Sequence, residues 1–291
     1  MTTIPFTKMV GTGNDFIIVD AVRRSFNGLA HRWAAVSRTL CDRHQGIGSD
    51  GVLLLEPSAA ADVTMRVFNP DGSEASMCGN GARCVALYLV SARRRGAQAP
   101  VRIATRAGIL QAVVRGERVA MRMTDPVDLR LRQSILVNSQ AVHFGFVNTG
   151  VPHAVVPVSR LDRVEVARLG RAIRFHRAFA PQGANVNFVQ ATAGGSSAIR
   201  IRTYERGVED ETLACGTGVA ASAIVHTLMR KTAQGARHRI AVETRSGDEL
   251  TVSFAMIAGS HGPRVTHVVL EGAARRVFNG SAEWPLRRGH G

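Results

Sequence analysis

Apolar and polar side chains alternate along two matching stretches of the chain, residues 62–68 and 198–204. A period of two is typical of a strand with one buried face, so we predict a strand in each stretch. Each stretch is followed by a run that is apolar on nearly all sides, residues 85–90 and 219–225. Such a run predicts a helix that is buried within its own half of the chain.

Similar segments predict six more strands, at residues 101–104, 109–114, 119–123, 239–243, 250–254 and 265–270. The chain is therefore predicted to have an α/β fold of the α+β type. We expect two pseudo-symmetric, duplicated domains, each a strand-rich roll or barrel around one central helix. The expected domains are residues 1–125 with 272–291, and residues 126–271. The polypeptide is expected to pass from one domain to the other at 124–126 and near 271–272.

A four-residue motif, C-G-x-G, occurs twice, as Cys78-Gly79-Asn80-Gly81 and as Cys215-Gly216-Thr217-Gly218. The two cysteines are 137 residues apart (215 − 78), and Thr12-Gly13 returns as Thr149-Gly150 at the same offset. A repeat of this length is a whole domain rather than a solenoid unit. The length of 291 residues agrees with two domains of about 150 residues each.

The composition is globular, with 45% hydrophobic residues, but 37 Lys and Arg against 22 Asp and Glu give a net charge of +15. A basic surface can bind nucleic acid. Here the arginines are scattered, with short runs only at 93–95 and 287–288, and aromatic residues are 5%, too few for base stacking. We therefore expect a protein that handles acidic small molecules and has no nucleic-acid partner. A basic nucleic-acid-binding protein is the alternative from another class.

No apolar run approaches the roughly 18 residues of a membrane span, and the first 15 residues lack the pattern of a secretion signal. We therefore expect a cytoplasmic protein with no membrane partner. Four cysteines in a reducing compartment argue against a disulfide framework. We expect Cys41 and Cys84 to be buried. The cysteine and histidine spacings match no C-x-x-C or H-x-x-x-H pattern, so no metal is expected.

A cysteine beside glycines at the start of a helix is expected to have a reactive thiol. The unpaired backbone N–H groups and the positive end of the helix dipole lower the thiol pKa below about 8.5, and the same groups can bind a carboxylate. Two such thiols suggest a substrate held between them. One thiol would remove a proton from a carbon and the other would return one on the opposite face, which inverts the stereocentre. Such a pair is also expected to oxidise to an inactivating disulfide.

Nine short segments, spread along nearly the whole chain, carry a family pattern. They are residues 8–16 (KMVGTGNDF), 43–51 (RHQGIGSDG), 68–74 (FNPDGSE), 77–84 (MCGNGARC), 150–153 (GVPH), 185–188 (NVNF), 204–207 (YERG), 211–218 (ETLACGTG) and 277–280 (VFNG). Together they resemble the diaminopimelate epimerase family of amino-acid epimerases. The resemblance implies two similar α/β halves with the active site in the cleft between them, no cofactor, an amino-acid substrate and a homodimer.

The resemblance also implies residue roles. Cys78 and Cys215 match the catalytic acid/base residues, and His153 and Glu205 match residues that set their pKa values. Substrate contacts are implied for the side chains of Asn14, Asn69, Asn185, Glu205 and Arg206 and for the backbone at Gly79, Asn80, Gly216 and Thr217. The implied reaction interconverts L,L- and meso-2,6-diaminoheptanedioate, for lysine and peptidoglycan precursor biosynthesis.

The chain departs from the family pattern at Val151, where many members have Asn, and at Gly51, where some have Gln. Both positions lie toward the expected distal end of the substrate. One additional residue within 208–211 lengthens a loop.

The residues alone leave other interpretations open. Asn14 and Asn69 are also suited to turns, His153 to core packing, and Glu205-Arg206 to a plain ion pair. An epimerase of proline or hydroxyproline would share the paired cysteines.

Overall fold

The computed structural model of the protein describes residues 2–93, 100–192, 197–230, 237–259 and 264–285. Arg94, Arg95 and the 287–288 pair, parts of the basic runs noted above, lie outside the described residues. The chain forms two compact units, 1–121 with 272–291 and 122–271. The first boundary between the two units therefore lies after Met121, four residues before the predicted boundary at Asp125.

Among the described residues, the first unit contains two α-helices, one short 3-10 turn and a series of strands. In chain order these are β1 (Thr2–Gly11), β2 (Asn14–Asp20), the 3-10 turn Asn27–Leu29, α1 (Trp33–Cys41), β3 (Gly51–Glu56), β4 (Val63–Phe68), β5 (Glu74–Ala75), α2 (Gly79–Arg93), β6 (Val101–Thr105), β7 (Gly108–Arg115), β8 (Arg118–Arg122) and the C-terminal β18 (Arg275–Trp284). The last residue of β8 belongs to the second unit.

The second unit has the same kinds of elements in the same order. They are β9 (Val127–Val137), β10 (Gln140–Asn148), β11 (Pro152–Pro157), the 3-10 turns Leu161–Arg163 and Arg177–Phe179 on either side of α3 (Val166–Arg174), β12 (Asn185–Ala191), β13 (Ala198–Glu205), β14 (Asp210–Thr212), α4 (Gly216–Met229), β15 (Arg237–Glu243), β16 (Glu249–Ile257) and β17 (Arg264–Ala273). The last two residues of β17 belong to the first unit.

Strand pairing is the same in both units. In the first, β1/β2 is antiparallel, β2/β3 parallel, β3/β4 antiparallel, β4/β6 parallel and β6/β7 antiparallel. In the second, β10/β11, β11/β12, β12/β13, β13/β15 and β15/β16 repeat that series of directions. An outer antiparallel strand covers the first member in each, β18 on β1 and β9 on β10. The predicted duplicated, pseudo-symmetric α/β fold is confirmed.

The helices after the two motifs are the centres of the two cores, as predicted. Residues 218–225 of α4 are all buried, and so are Ala82, Cys84, Val85 and Ala86 of α2. The eight strands predicted from alternation are also confirmed, with ends that differ by at most three residues. None of the helices in the described ranges has both the length and the apolarity needed to cross a membrane.

The expectation of one principal helix per half was incomplete, because each unit has a second helix, α1 or α3. These helices are amphipathic rather than wholly apolar. In α1 the buried side chains are Trp33, Val36, Ser37, Leu40 and Cys41, at the i, i+3, i+4 spacing of a one-sided helix. That spacing was present in the sequence, but it differs from the all-round apolar pattern on which the helix prediction rested.

Candidate active site

Each C-G-x-G cysteine lies directly before the first residue of a helix. Cys78 precedes α2, and its Sγ accepts a hydrogen bond from the Gly81 N–H at 3.4 Å. Cys215 is the N-cap residue of α4, and its Sγ is 3.4 Å from the Thr217 hydroxyl. All four cysteines, including Cys41 and Cys84, are thiols rather than disulfides. The structure therefore places both thiols where the sequence predicted, at helix starts.

In the first unit, a chain of side-chain amides leads away from the α2 start. Asn80 Nδ2 donates to Asn14 Oδ1 at 2.7 Å, and Asn14 Nδ2 donates to Asp50 Oδ2 at 2.9 Å. The guanidinium of Arg83, a fully buried residue, donates to Asn80 Oδ1 at 2.7 Å and to the hydroxyl of Thr12. Because a guanidinium only donates, this contact fixes which end of the Asn80 amide faces Asn14.

Acidic and basic side chains surround Asp50, which ends this series of hydrogen bonds. Arg43 Nη2 lies 2.7 Å from carboxylate oxygens of both Asp15 and Asp50, and Lys8 Nζ lies 2.6 Å from Asp15. Burial raises the pKa of Asp15, but hydrogen bonds from Arg43 and Lys8 outweigh it and lower the pKa below its ordinary value. Because Arg43 contacts Asp50 directly, Asp50 is held in place as the acceptor for Asn14.

Asn69 follows β4 and starts a tight turn. Its Nδ2 donates to Ser73 Oγ at 2.9 Å, and its backbone N–H donates to the Ser73 carbonyl at 2.8 Å. The turn interpretation of Asn69 thus describes its contacts in this structure, and its role in substrate binding stays a prediction.

Cys215 is mostly buried, with 8% of its surface exposed. The pKa of its thiol is raised to about 11, first by burial and then by the negative charge of Glu205, against hydrogen bonds from Thr217 and Gly218 that lower it. The prediction that the helix start lowers the thiol pKa was therefore wrong for Cys215. The energetic cost of removing the thiolate from water outweighs its stabilisation by the helix dipole here, so Cys215 is protonated at neutral pH.

Glu205 and Arg206 lie at the end of β13 and in the turn after it. Burial raises the pKa of Glu205. Among the described residues no carboxylate forms an ion pair with Arg206, so the plain Glu205–Arg206 ion pair is absent. Asn185 holds the Arg206 backbone, because its Oδ1 accepts the Arg206 N–H at 2.8 Å while its Nδ2 donates to the Pro152 carbonyl at 3.2 Å.

His153 is fully buried at the start of β11. Its Nδ1 lies 3.0 Å from Nδ2 of Asn187, and its Nε2 has no hydrogen-bond partner among the described residues. Burial lowers the pKa of His153 to about 3, with a further contribution from the positive charge of Arg206. His153 is therefore a neutral imidazole throughout the physiological range.

The lowered pKa of His153 predicts a pH-dependent stability. Between pH 6.5 and about 3 the unfolded chain binds a proton at this position and the folded protein does not, so the free energy of unfolding falls as the pH falls through this window. The expected loss is roughly 3–5 kcal/mol. We expect His153→Gln, which cannot titrate, to lose less stability than the wild type over this window in urea unfolding at pH 7, 5 and 4. An equal fall in the free energy of unfolding with pH in the two proteins would contradict the lowered pKa of His153.

The two remaining cysteines lie in the cores, as predicted. Cys41 in α1 is 3% exposed and Cys84 in α2 is fully buried. Burial raises the pKa of the Cys84 thiol to about 12. The Cys84 thiol is consequently a poor nucleophile.

Comparison with known proteins gives the family. A family model described as diaminopimelate epimerase matches residues 6–129 and 145–256. The chain belongs to the diaminopimelate epimerase family. Among the curated members, the diaminopimelate epimerase of Aquifex aeolicus is 40% identical over 284 residues, covering 94% of this chain and 96% of that protein. The diaminopimelate epimerase of Chlorobaculum tepidum is 39% identical over 276 residues, covering 94% and 99%.

Solved structures outside the diaminopimelate epimerases share the fold at lower identity. A phenazine biosynthesis protein of the PhzF family from Bacillus anthracis has a TM-score of 0.70 at 20% identity, covering 97% of this chain and all of that one. A hydroxyproline epimerase from Agrobacterium vitis has a TM-score of 0.66 at 18% identity, covering 97% and 91%. These likenesses show that the two-domain, pseudo-symmetric fold recurs in other proteins.

The two positions that depart from the family pattern lie in different surroundings. Gly51 begins β3, and a Cβ there would lie 2.9 Å from the Phe68 carbonyl oxygen, so the local packing leaves no room for a side chain. Val151 lies in the turn between β10 and β11, where its carbonyl accepts the Thr149 N–H at 3.2 Å. Its side chain cannot hydrogen-bond.

Sequence reasoning missed several polar residues next to the predicted ones, chiefly Arg83, Asp50, Asn187 and Thr203. Arg83 could have been noticed as a charged side chain within an otherwise apolar helix. Asn187 and Thr203 hold buried strand positions, and their partners became visible only from the pairing of β12 with β13.

Proposed function

We propose that this protein interconverts L,L- and meso-2,6-diaminoheptanedioate by a two-base mechanism that uses Cys78 and Cys215 and no cofactor. The observation that carries the proposal is the duplicated thiol: two cysteines, in equivalent positions before α2 and α4, within a member of the diaminopimelate epimerase family. One thiol serves each face of the α-carbon.

The substrate groups at the reacting end are a carboxylate and an ammonium. Arg206 has no carboxylate partner among the described residues, and the N–H groups of Gly216 and Thr217 lie at the start of α4. These donors are suited to the carboxylate. The partly buried carboxyl of Glu205 is suited to the ammonium. In the first half, further backbone and amide groups come from Gly79, Asn80, Asn14 and Asn69. In the second half, Asn185 holds the backbone at Arg206.

The proton transfers follow from the state of Cys215. Since Cys215 is protonated at neutral pH, it acts as the acid for one epimer, and Cys78 must then be the thiolate that removes the α-hydrogen. The carbon is protonated by Cys215 on the opposite face, which inverts it. The reverse reaction starts from the opposite protonation states, with Cys215 as the base.

Glu205 couples substrate binding to the acidity of Cys215. In the absence of substrate, the negative charge of Glu205 raises the Cys215 pKa. A bound ammonium neutralises that charge, so the thiolate of Cys215 becomes easier to form when the substrate is present. The carbanion that forms at the α-carbon shares its charge with the carboxylate, where fixed N–H donors stabilise it most.

The proposal predicts cofactor-free α-hydrogen exchange. Reduced enzyme in D2O is expected to incorporate deuterium at the α-carbon of L,L-diaminoheptanedioate and to convert it to the meso isomer, which mass spectrometry and chiral chromatography measure together. Folded, reduced protein that exchanges proline or hydroxyproline but not diaminoheptanedioate would contradict the substrate assignment. In that case Val151 is the first position to replace with the family residue, because the packing around Gly51 leaves no room for a side chain.

We expect a role in lysine and peptidoglycan precursor supply, a cytoplasmic location, where the thiols stay reduced, and no nucleic-acid or membrane partner. We also expect a homodimer, which sedimentation equilibrium of the reduced protein would check.

A further inference from the structure

The two units differ in the layer directly beneath the two equivalent helix starts. In the second unit this layer is polar: Asn187 of β12 pairs with Thr203 of β13, its side chain contacts His153 of β11, and all three are buried. A Cβ on Gly218, the last residue of the second motif, would lie 2.3 Å from Asn187 Oδ1. The polar layer therefore touches the helix that begins after Cys215.

The matching layer of the first unit is apolar. A Cβ on Gly81, the last residue of the first motif, would lie 3.0 Å from a methyl group of Leu53. Leu53 pairs with Val67 as Asn187 pairs with Thr203. Phe16, at the 137-residue offset from His153, belongs to the same apolar cluster as Leu53 and Val67. Thus Phe16, Leu53 and Val67 correspond to His153, Asn187 and Thr203.

The contacts of Asn187 fix the orientation of its amide. Its Oδ1 accepts the Thr203 hydroxyl at 3.0 Å, and its Nδ2 faces the Ala154 carbonyl oxygen at 3.5 Å. A carbonyl only accepts, so the amide nitrogen belongs on that side. The same nitrogen lies 3.0 Å from His153 Nδ1. Nδ1 must then be the acceptor, and the proton of the neutral imidazole is on Nε2.

We propose that Asn187 is a positioning residue, which holds His153 as the Nε2–H tautomer so that the second half offers a fixed, neutral N–H donor to the substrate carboxylate. This inference rests on the proposed function. Nε2 is buried without a partner among the described residues, and a buried unpaired donor is costly unless something accepts its hydrogen bond. The nearby charge of Arg206 makes an anion the suitable acceptor. A neutral donor stabilises the developing charge without giving up its proton.

The test is the tautomer of His153, observed with and without Asn187→Asp. Long-range proton–nitrogen correlation spectra of protein labelled with 15N-histidine, recorded without substrate, are expected to show His153 protonated at Nε2 in the wild type. In Asn187→Asp the carboxylate accepts instead of donating, so the proton is expected to move to Nδ1. We expect kcat to fall about 10- to 100-fold in this variant, with a smaller change in KM.

Two further variants keep the test decisive. Asn187→Leu installs the first-unit residue and is expected to give a mixture of tautomers and a similar loss of kcat, which covers the case that the aspartate variant fails to fold. Val67→Thr makes a polar change at the matching place in the first unit, and we expect the His153 spectrum to be unchanged and kcat to stay within about twofold.

Protonation of Nδ1 in the wild type would overturn the proposal, and so would an aspartate variant that keeps both the Nε2–H tautomer and full kcat. Because the spectra need no substrate, these outcomes are separate from the failure of the proposed function, which would show as wild-type enzyme that does not epimerise diaminoheptanedioate.

Discussion

Replacing either Cys78 or Cys215 with alanine is expected to lower kcat for epimerisation by about a hundred- to ten-thousand-fold. Positioned acid and base groups contribute rate factors of this size, and a two-base inversion needs both in every turnover. The measurement is conversion of L,L- to meso-diaminoheptanedioate by chiral chromatography, with circular dichroism to show that each variant is folded.

The two variants should also differ from each other in a defined way. A protein with one thiol can reach the α-hydrogen of only one of the two configurations, because the hydrogen lies on opposite faces in the two epimers. We therefore expect any residual exchange with D2O to occur with one epimer in Cys78→Ala and with the other in Cys215→Ala. Equal exchange of both epimers by both variants would mean that a single base serves both faces.

The buried thiols provide matched controls for this pair. Cys41→Ala and Cys84→Ala make the same chemical change in the cores, where the thiols pack as small apolar groups. We expect them to lose about 1 kcal/mol of stability and to keep kcat within about twofold.

Replacing Arg206 with methionine is expected to lower kcat/KM by about a hundred- to a thousand-fold. The guanidinium has no carboxylate partner among the described residues, so the substrate carboxylate is its expected partner, and loss of one side of such a pair costs several kcal/mol. Arg206→Lys should recover part of the loss, because a lysine keeps the charge but not the two-pronged geometry. Steady-state kinetics with both epimers measures the effect.

Arg200 provides the control for Arg206. It lies on β13, 36% exposed, and pairs with Asp162 and Glu243 on the surface. We expect Arg200→Met to leave kcat/KM unchanged and to cost less than about 1 kcal/mol of stability. If Arg200→Met and Arg206→Met lost activity equally, a general effect of positive charge would replace specific carboxylate binding.

The sequence predicted the architecture well because the informative signals were local. The repeated motif located α2 and α4, and the alternation in residues 62–68 and 198–204 located the strands before them. The amphipathic helix α1 was missed, although its spacing was visible. A prediction based on the most conspicuous hydrophobic pattern finds the elements that have that pattern. It misses an element such as α1, whose apolar residues follow a different spacing.

The environment of the candidate site residues could not be predicted in the same way. The sequence places Cys215 at a helix start, and that alone indicates a lowered thiol pKa. The opposite shift arises from burial and from Glu205, which is ten residues away in the sequence and approaches only in the folded chain. Likewise, the amide of Asn187 takes its orientation from Thr203 on the next strand. Effects that depend on distant contacts have no signature in a local pattern.

The unequal layers beneath the two helix starts have a consequence for how such an enzyme can arise. Two identical chains related by a two-fold axis must place the same residue at both matching positions, so any change at one position occurs at the other. Joining the two copies in one polypeptide removes that constraint. Leu53 and Asn187 can then differ, and the chemical environments of Cys78 and Cys215 can be tuned separately.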